Sequence, residues 1–119
     1  RVWDENRKII LPVVSILNNE EGNISNVVVR IGDSVETLFE KYELMQYTGL
    51  HDKNGNEIFE GDIVDWSDKI YIIKWARSFA GFCMSRADFD YERPDIQFES
   101  EVIGNVFENK NLLEINDSE

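Results

Sequence analysis

The sequence predicts a mainly β fold, either small and barrel-like or a more complex β fold, with at most one or two short helices. Short segments rich in β-branched and aromatic residues recur along the chain, and Gly, Asn and Asp separate them at close intervals. No repeat or low-complexity linker divides the 119 residues. We therefore expect a single domain over 1–119.

The first strands are predicted on either side of a polar turn formed by Asp4, Glu5 and Asn6. The apolar run that begins at Ile9 contains Pro12. Because proline has no amide hydrogen to donate to a sheet, this run is either an edge strand or two short strands. The segment "NNEEGN" at Asn18–Asn23 is typical of a turn, and "ISNVVVRIG" after it predicts a β-branched strand.

The segment that follows this strand is ambiguous. Apolar residues from Val35 to Tyr42 have helical spacing, and Asp33 with Glu36 resembles a capping box. Some of the same apolar residues also fit the alternation of a strand. We expect a short helical turn near Ser34–Glu40 and a strand from Tyr42.

The carboxyl-terminal half is predicted as a series of strands. A turn at Glu60–Asp62 precedes a strand with Val64 and Trp66 on one face. The alternation in "IYIIKWA" places Tyr71 and Trp75 on a common face of the next strand.

Beyond a further strand interrupted by glycine, Arg86–Asp95 is the longest predicted loop. The last strong β segment follows this loop, and Gly104 within that segment indicates a bulge or kink.

The charge of the chain limits its partners. Twenty-four acidic residues against 12 basic ones give a net charge of −12, which disfavours binding to a phosphate backbone. An acidic surface favours solubility or a basic partner. No apolar run approaches the roughly 18 residues of a membrane-spanning helix, so we expect no membrane contact.

The chain has one cysteine, Cys83, and one histidine, His51. An intrachain disulfide is therefore excluded, which fits a reducing cytoplasm. The ligand spacings of a zinc site are absent, and Cys83 stands among apolar neighbours as a buried thiol does. Phosphate-binding glycine loops and the common hydrolase motifs are absent too. We expect no catalytic residue, no metal and no cofactor.

The loop "DKNGNEIFEGD" starts like a calcium loop. Asp52, Asn54 and Asn56 occupy the first, third and fifth positions of an EF-hand. The sixth position needs glycine and has Glu57, and the twelfth needs glutamate and has Ile63. The pattern therefore argues against calcium and favours a turn.

A hairpin explains the same residues better. A two-residue turn on Asn54–Gly55 sets Asp52 opposite Glu57, which places like charges together. A three-residue loop that ends at the glycine avoids this and uses the glycine where φ is positive. We prefer this second register, in which the opposed pairs are Asp52–Asn56, His51–Glu57 and Leu50–Ile58.

Three blocks carry a family resemblance. "LMQYTGLHDKNGNEIFEGDIV" resembles the signature of the YopX family of phage and prophage proteins, and "RVWDENRKI" and "EVIGNVFENKNLL" resemble its terminal segments. His51 departs from the more usual Lys. The resemblance implies a largely β, barrel-like fold in a phage-encoded cytoplasmic protein of the bacterial host. The family has no established biochemical activity, so the resemblance transfers no activity and no catalytic or ligand residues to this chain.

Two groups of residues are candidates for partner contact. Trp66, Tyr71 and Trp75 lie on neighbouring predicted strands, and they form either core or an exposed aromatic strip. The loop Arg86–Asp95 combines charges with aromatic residues, as contact loops do. Its candidate residues are Asp88, Phe89, Asp90 and Tyr91.

The function expected from these observations is that of a non-enzymatic phage accessory protein. We expect it to act by protein–protein contact, with another protein or with its own copies as a homo-oligomer. An alternative is a small-barrel binding module for a peptide or nucleic acid, since "EGDIV" resembles the turn-to-strand opening of SH3-like barrels. The charge makes nucleic acid the less favoured ligand.

Overall fold

The computed structural model describes residues 1–76, 80–86, 89–91 and 99–117, and for 89–91 and 114–117 it describes the backbone only. These residues form antiparallel strands and one helix, which confirms the predicted mainly β fold. By internal packing the chain divides into two compact units, 1–45 and 46–119. The single domain stays a prediction.

The first unit contains two three-stranded sheets, ordered β2-β1-β6 and β3-β4-β5. Its strands are β1 (Val2–Asp4), β2 (Ile9–Leu11), β3 (Val13–Asn18), β4 (Ile24–Ile31), β5 (Ser34–Leu38) and β6 (Tyr42–Leu44). Pro12 separates β2 from β3, and each of these is the edge strand of its sheet. The prediction of two short strands or an edge strand at the proline is therefore confirmed.

The predicted helical turn near Ser34–Glu40 is wrong, because Ser34–Leu38 forms strand β5, which pairs with β4 along its whole length. The apolar residues that suggested a helix share no buried face: Leu38 is buried, whereas Val35 and Phe39 are exposed. The strand expected from Tyr42 is confirmed as β6.

Alternation along β4 builds the core of this unit. Val27 and Val29 are fully buried, and Arg30 on the opposite face is exposed. Antiparallel partners lie opposite each other on the same face, so Leu38 of β5 joins Val27 in the core. The buried cluster comprises Val2, Leu11, Val27, Val29 and Leu38.

The second unit contains a two-stranded hairpin, β7-β8, and a five-stranded sheet ordered β12-β11-β10-β9-β13. Its elements are β7 (Tyr47–His51), β8 (Glu57–Phe59), β9 (Asp62–Trp66), β10 (Lys69–Ala76), β11 (Gly81–Arg86), β12 (Phe89–Tyr91), β13 (Glu101–Asn105) and α1 (Lys110–Asp117). The sequence did not place a helix at α1. No sheet closes on itself within the described residues. Of the two predicted alternatives, the structure therefore fits the more complex β fold and not the small barrel.

The core of the second unit comprises Ile58, Val64, Tyr71, Ile73 and Met84. Trp66 packs against this cluster, which places it with Val64 as predicted. Trp75 is 47% exposed near the end of β10 and does not share the burial of Tyr71. Its ring contacts Phe82 of β11 instead, edge to face at 5.1 Å between centroids.

The bulge predicted at Gly104 is present, because the pairing of β13 with β9 shifts register between Val102 and Gly104. The predicted loop Arg86–Asp95 contains β12, which pairs with β11. Residues 87–88 and 92–98 lie outside the described residues.

Candidate interaction surface

The hairpin turn at Asp52 has the predicted three-residue loop. Asp52 donates its backbone N–H to the Asn56 carbonyl at 2.8 Å, and Gly55 donates to the Asp52 carbonyl at 3.0 Å. Gly55 has a φ of +83°, and His51 pairs with Glu57. The predicted Leu50–Ile58 pair is wrong: the register shifts between Tyr47 and His51, although Leu50 and Ile58 still pack in one core cluster.

The Asp52 carboxylate belongs to this turn. It is 4% exposed, and it accepts hydrogen bonds from the backbone of Asn54, Asn56 and Val102 at 2.8–2.9 Å. Burial raises the pKa of Asp52, but these hydrogen bonds together lower it below its usual value. The lone pairs that a calcium ion would need are therefore engaged by backbone donors.

A second buried carboxylate, Asp4, has similar surroundings. It accepts hydrogen bonds from the backbone of Asn6 and Arg7 and from the Arg7 guanidinium at 2.7 Å. Burial raises the pKa of Asp4, but the bonds from Arg7 and Asn6 outweigh this and lower it. Arg7 also reaches Glu36 of β5, so one guanidinium joins two carboxylates.

The turn between β3 and β4 repeats the hydrogen-bond pattern of the Asp52 turn. Asn19 donates to the Asn23 carbonyl at 2.8 Å, and Gly22 donates to the Asn19 carbonyl at 3.0 Å. The side-chain oxygen of Asn19 accepts from the backbone of Glu21 and Asn23, as the Asp52 carboxylate does in its own turn. The same turn chemistry therefore closes both hairpins.

The two hairpins differ in burial. Every residue from Val14 to Ile24 is exposed, and we call this segment the hairpin arm. Four large aliphatic residues of the arm are between 42% and 50% exposed: Val14, Ile16, Leu17 and Ile24. A row of exposed aliphatic side chains at a sheet edge marks a surface that a partner can cover.

The aliphatic residues of the arm lie on both faces of the sheet. Ile16 is opposite Val27, which is buried, so Ile16 lies on the core face. Leu17 is opposite Asn26 and lies on the other face. The arm therefore exposes apolar area above and below the sheet.

The residues predicted for partner contact differ in how far the structure exposes them. Tyr71 is 6% exposed in the core, and Trp66 is half-buried with its Nε1 donating to Glu99 at 2.6 Å. Trp75 is exposed beside Phe82. Asp88 and the side chains of Phe89, Asp90 and Tyr91 lie outside the described residues. Partner contact by these residues stays a prediction.

Sequence reasoning did not select the arm, because "VVSILN" has the composition of a buried strand. The signal that pointed toward it was Pro12, which predicted an edge.

The fold and this surface define a class: a small, mainly β protein of several antiparallel sheets with an exposed apolar edge strand. The chain belongs to the YopX family, whose model, described as YopX protein, matches residues 1–114. The crystal structure of protein EF1440 from Enterococcus faecalis is similar over 95% of each chain, with 27% sequence identity and a TM-score of 0.67. No curated protein matches the chain. Within the described residues, no helix has the length and apolarity needed to cross a membrane.

Proposed function

We propose that the chain is a phage-encoded accessory protein without enzymatic activity, which acts in the host cytoplasm through protein–protein contact or self-assembly. The observation that carries this proposal is the hairpin arm, where Val14, Ile16, Leu17 and Ile24 are all more than two-fifths exposed. A partner that covered these side chains would stabilise the complex by about 25 cal/mol for each Å² of apolar surface removed from water.

The chemistry of the reactive side chains supports a non-enzymatic role. The Cys83 thiol is 4% exposed within β11, where a substrate has little access to it. Asp4 and Asp52, whose pKa values are lowered, already accept hydrogen bonds from donors of the protein itself. A general base needs lone pairs that a substrate can reach.

The charge of the chain supports a protein partner over a nucleic acid. A net charge of −12 repels phosphates, and no released counterion would favour binding. We expect no retardation of DNA or RNA by the protein, even at low salt.

The proposal is tested by affinity capture and sedimentation of the full chain. Tagged protein is expressed in an infected host, and retained proteins are identified by mass spectrometry. The comparison is with Ile16→Asn/Leu17→Asn, which removes apolar area from the arm, and with Val35→Asn on strand β5 as a matched exposed control. We expect the wild type and the control to retain a partner or a second copy, and the arm variant to lose it. A monomer that retains no reproducible partner would contradict the proposed function.

A further inference from the structure

We infer that β3 pairs in antiparallel orientation with β3 of a second copy, about a two-fold axis near Ile16. This inference rests on the proposed function and identifies the surface and the partner. It concerns strand β3, Val13–Asn18, at the edge of the sheet β3-β4-β5.

The edge of β3 lacks the charges and prolines that often keep a sheet edge monomeric, although its pairing with β4 shifts register at Val13/Ser15 and again at Leu17/Asn18. Natural edge strands carry charges or proline, or are covered by another element. The six residues "VVSILN" contain no charge and no proline, and Val14–Asn18 are all exposed. Pro12 precedes the strand and leaves its amide donors intact.

The distribution of apolar residues favours an added strand over a partner that packs on one face. A protein seated on the core face would cover Ile16 and leave Leu17 in water, because these side chains point to opposite faces. A strand added at the edge places its own side chains on both faces, beside both residues. Pairing along β3 therefore covers apolar area at Val14, Ile16 and Leu17, the exposed aliphatic residues of the arm that lie on β3.

Charge selects a second copy as the added strand. A basic partner would find no carboxylate along β3, whereas a second β3 is also uncharged and apolar. The only charges of the hairpin arm are Glu20 and Glu21 in its turn.

The same two charges select the antiparallel orientation. In a parallel pair the two acidic turns would lie side by side. In an antiparallel pair centred on Ile16 they lie roughly 25 Å apart, at about 3.3 Å per residue, well beyond the screening length of about 8–10 Å.

Symmetry restricts the register of the pair. Opposite residues of antiparallel strands share a face, so a two-fold axis places one residue opposite its own copy. With Ile16 opposite Ile16, Leu17 lies opposite Ser15 on the other face. Residues 15–17 are also where β3 pairs with β4 without a register shift.

Sedimentation equilibrium of the full chain tests the pairing. Ile16→Lys places two like charges opposite each other, and we expect it to weaken association at least tenfold. Val35→Lys, at a residue that is 56% exposed on β5, is the matched control and should leave association unchanged. Circular dichroism confirms folding, and Leu17→Lys is the second variant if Ile16→Lys is unfolded.

Salt dependence and cross-linking distinguish self-pairing from capture of a basic partner. Each copy carries −12, so added salt should strengthen self-association and weaken any charge-driven complex. Ile16→Cys should form an intermolecular disulfide on mild oxidation, because residues directly opposite lie within reach of a disulfide, whereas Val35→Cys should not.

The outcomes distinguish failure of the β3 pairing from failure of the proposed function. A wild-type dimer that Ile16→Lys dissociates supports the inference. A dimer or larger oligomer that neither arm variant weakens overturns it and leaves the proposed function standing. A monomer that captures another protein does the same, and a monomer that captures none contradicts both.

Discussion

The carboxylate of Asp52 accepts a hydrogen bond of 2.9 Å from the backbone N–H of Val102, fifty residues further along the chain. The same carboxylate caps its own turn through Asn54 and Asn56. One buried side chain therefore fixes a local turn and a distant strand, β13. The sequence pattern at Asp52 argued against a calcium loop and favoured a turn, and the hydrogen bonds of this carboxylate agree with the turn.

Replacement of Asp52 by alanine should destabilise the second unit strongly. The change leaves three backbone N–H groups without their acceptor. Asn54 and Asn56 are exposed, so water can replace the carboxylate there, whereas Val102 is half-buried, and we expect a loss of about 1–3 kcal/mol. Urea unfolding followed by circular dichroism measures this loss. Glu57→Ala, at an exposed carboxylate on the same hairpin, is the control and should change stability by less than about 0.5 kcal/mol. Equal midpoints for the two variants would contradict the assigned role.

The protein should lose stability in acid. The pKa values of Asp4 and Asp52 both lie below the ordinary value of 3.8, so the folded state binds these protons less tightly than the unfolded state. Their contribution is fully present above that value and is lost as the pH falls through the lowered pKa values. Urea midpoints measured from about pH 7 down to about pH 2 should fall mainly below pH 3.8. Asp52→Asn should reduce the size of this fall, and an unchanged pH dependence in that variant would count against the assignment.

Gly55 should be intolerant of branched side chains because of its backbone conformation. Its φ is +83°, and no atom lies within 4 Å of the position that a Cβ would occupy, so the cost is strain without a clash. Gly55→Val should lose more than about 1 kcal/mol. Gly55→Asn should lose less, since asparagine adopts positive φ more readily. Denaturant midpoints of the two variants give the comparison, and an equal loss in both would show that strain at φ is not the cause.

Gly104 should be intolerant of any side chain for the opposite reason. A Cβ there would lie 2.6 Å from Cγ of Asn109, whose Oδ1 accepts a hydrogen bond from the backbone of Asn105 at 3.1 Å. Gly104→Ala should therefore cost about 1–3 kcal/mol. In the Asn109→Gly background the side-chain atoms that would clash, Cβ included, are absent, and the same change should cost less. Thermal unfolding of the four proteins in this cycle tests the coupling, and strict additivity would refute it.

Local chemistry made part of the fold predictable. The Asp52 turn depends on a glycine with positive φ and an aspartate that caps the loop, and both are visible within five residues of sequence. The bulge at Gly104 and the break at Pro12 are similar, since each depends on the backbone properties of one residue type.

Tertiary pairing decided the features that the sequence did not predict. Ser34–Leu38 has apolar residues at helical spacing, yet pairing with β4 makes it a strand and leaves Val35 in solvent. The exposure of the arm was equally unpredictable, because "VVSILN" has a composition that would also suit the centre of a sheet. Whether an apolar strand is covered depends on its neighbours, and one sequence does not show them.

The bond between Asp52 and Val102 also sets an order of events during synthesis. The hairpin that contains Asp52 emerges from the ribosome about fifty residues before β13, so the nascent chain must keep this carboxylate hydrated until Val102 arrives. Strands β1–β6 find all their sheet partners within the first 45 residues, and they can pair before the rest of the chain is translated. The apolar arm is therefore displayed while the remainder of the polypeptide is still being made.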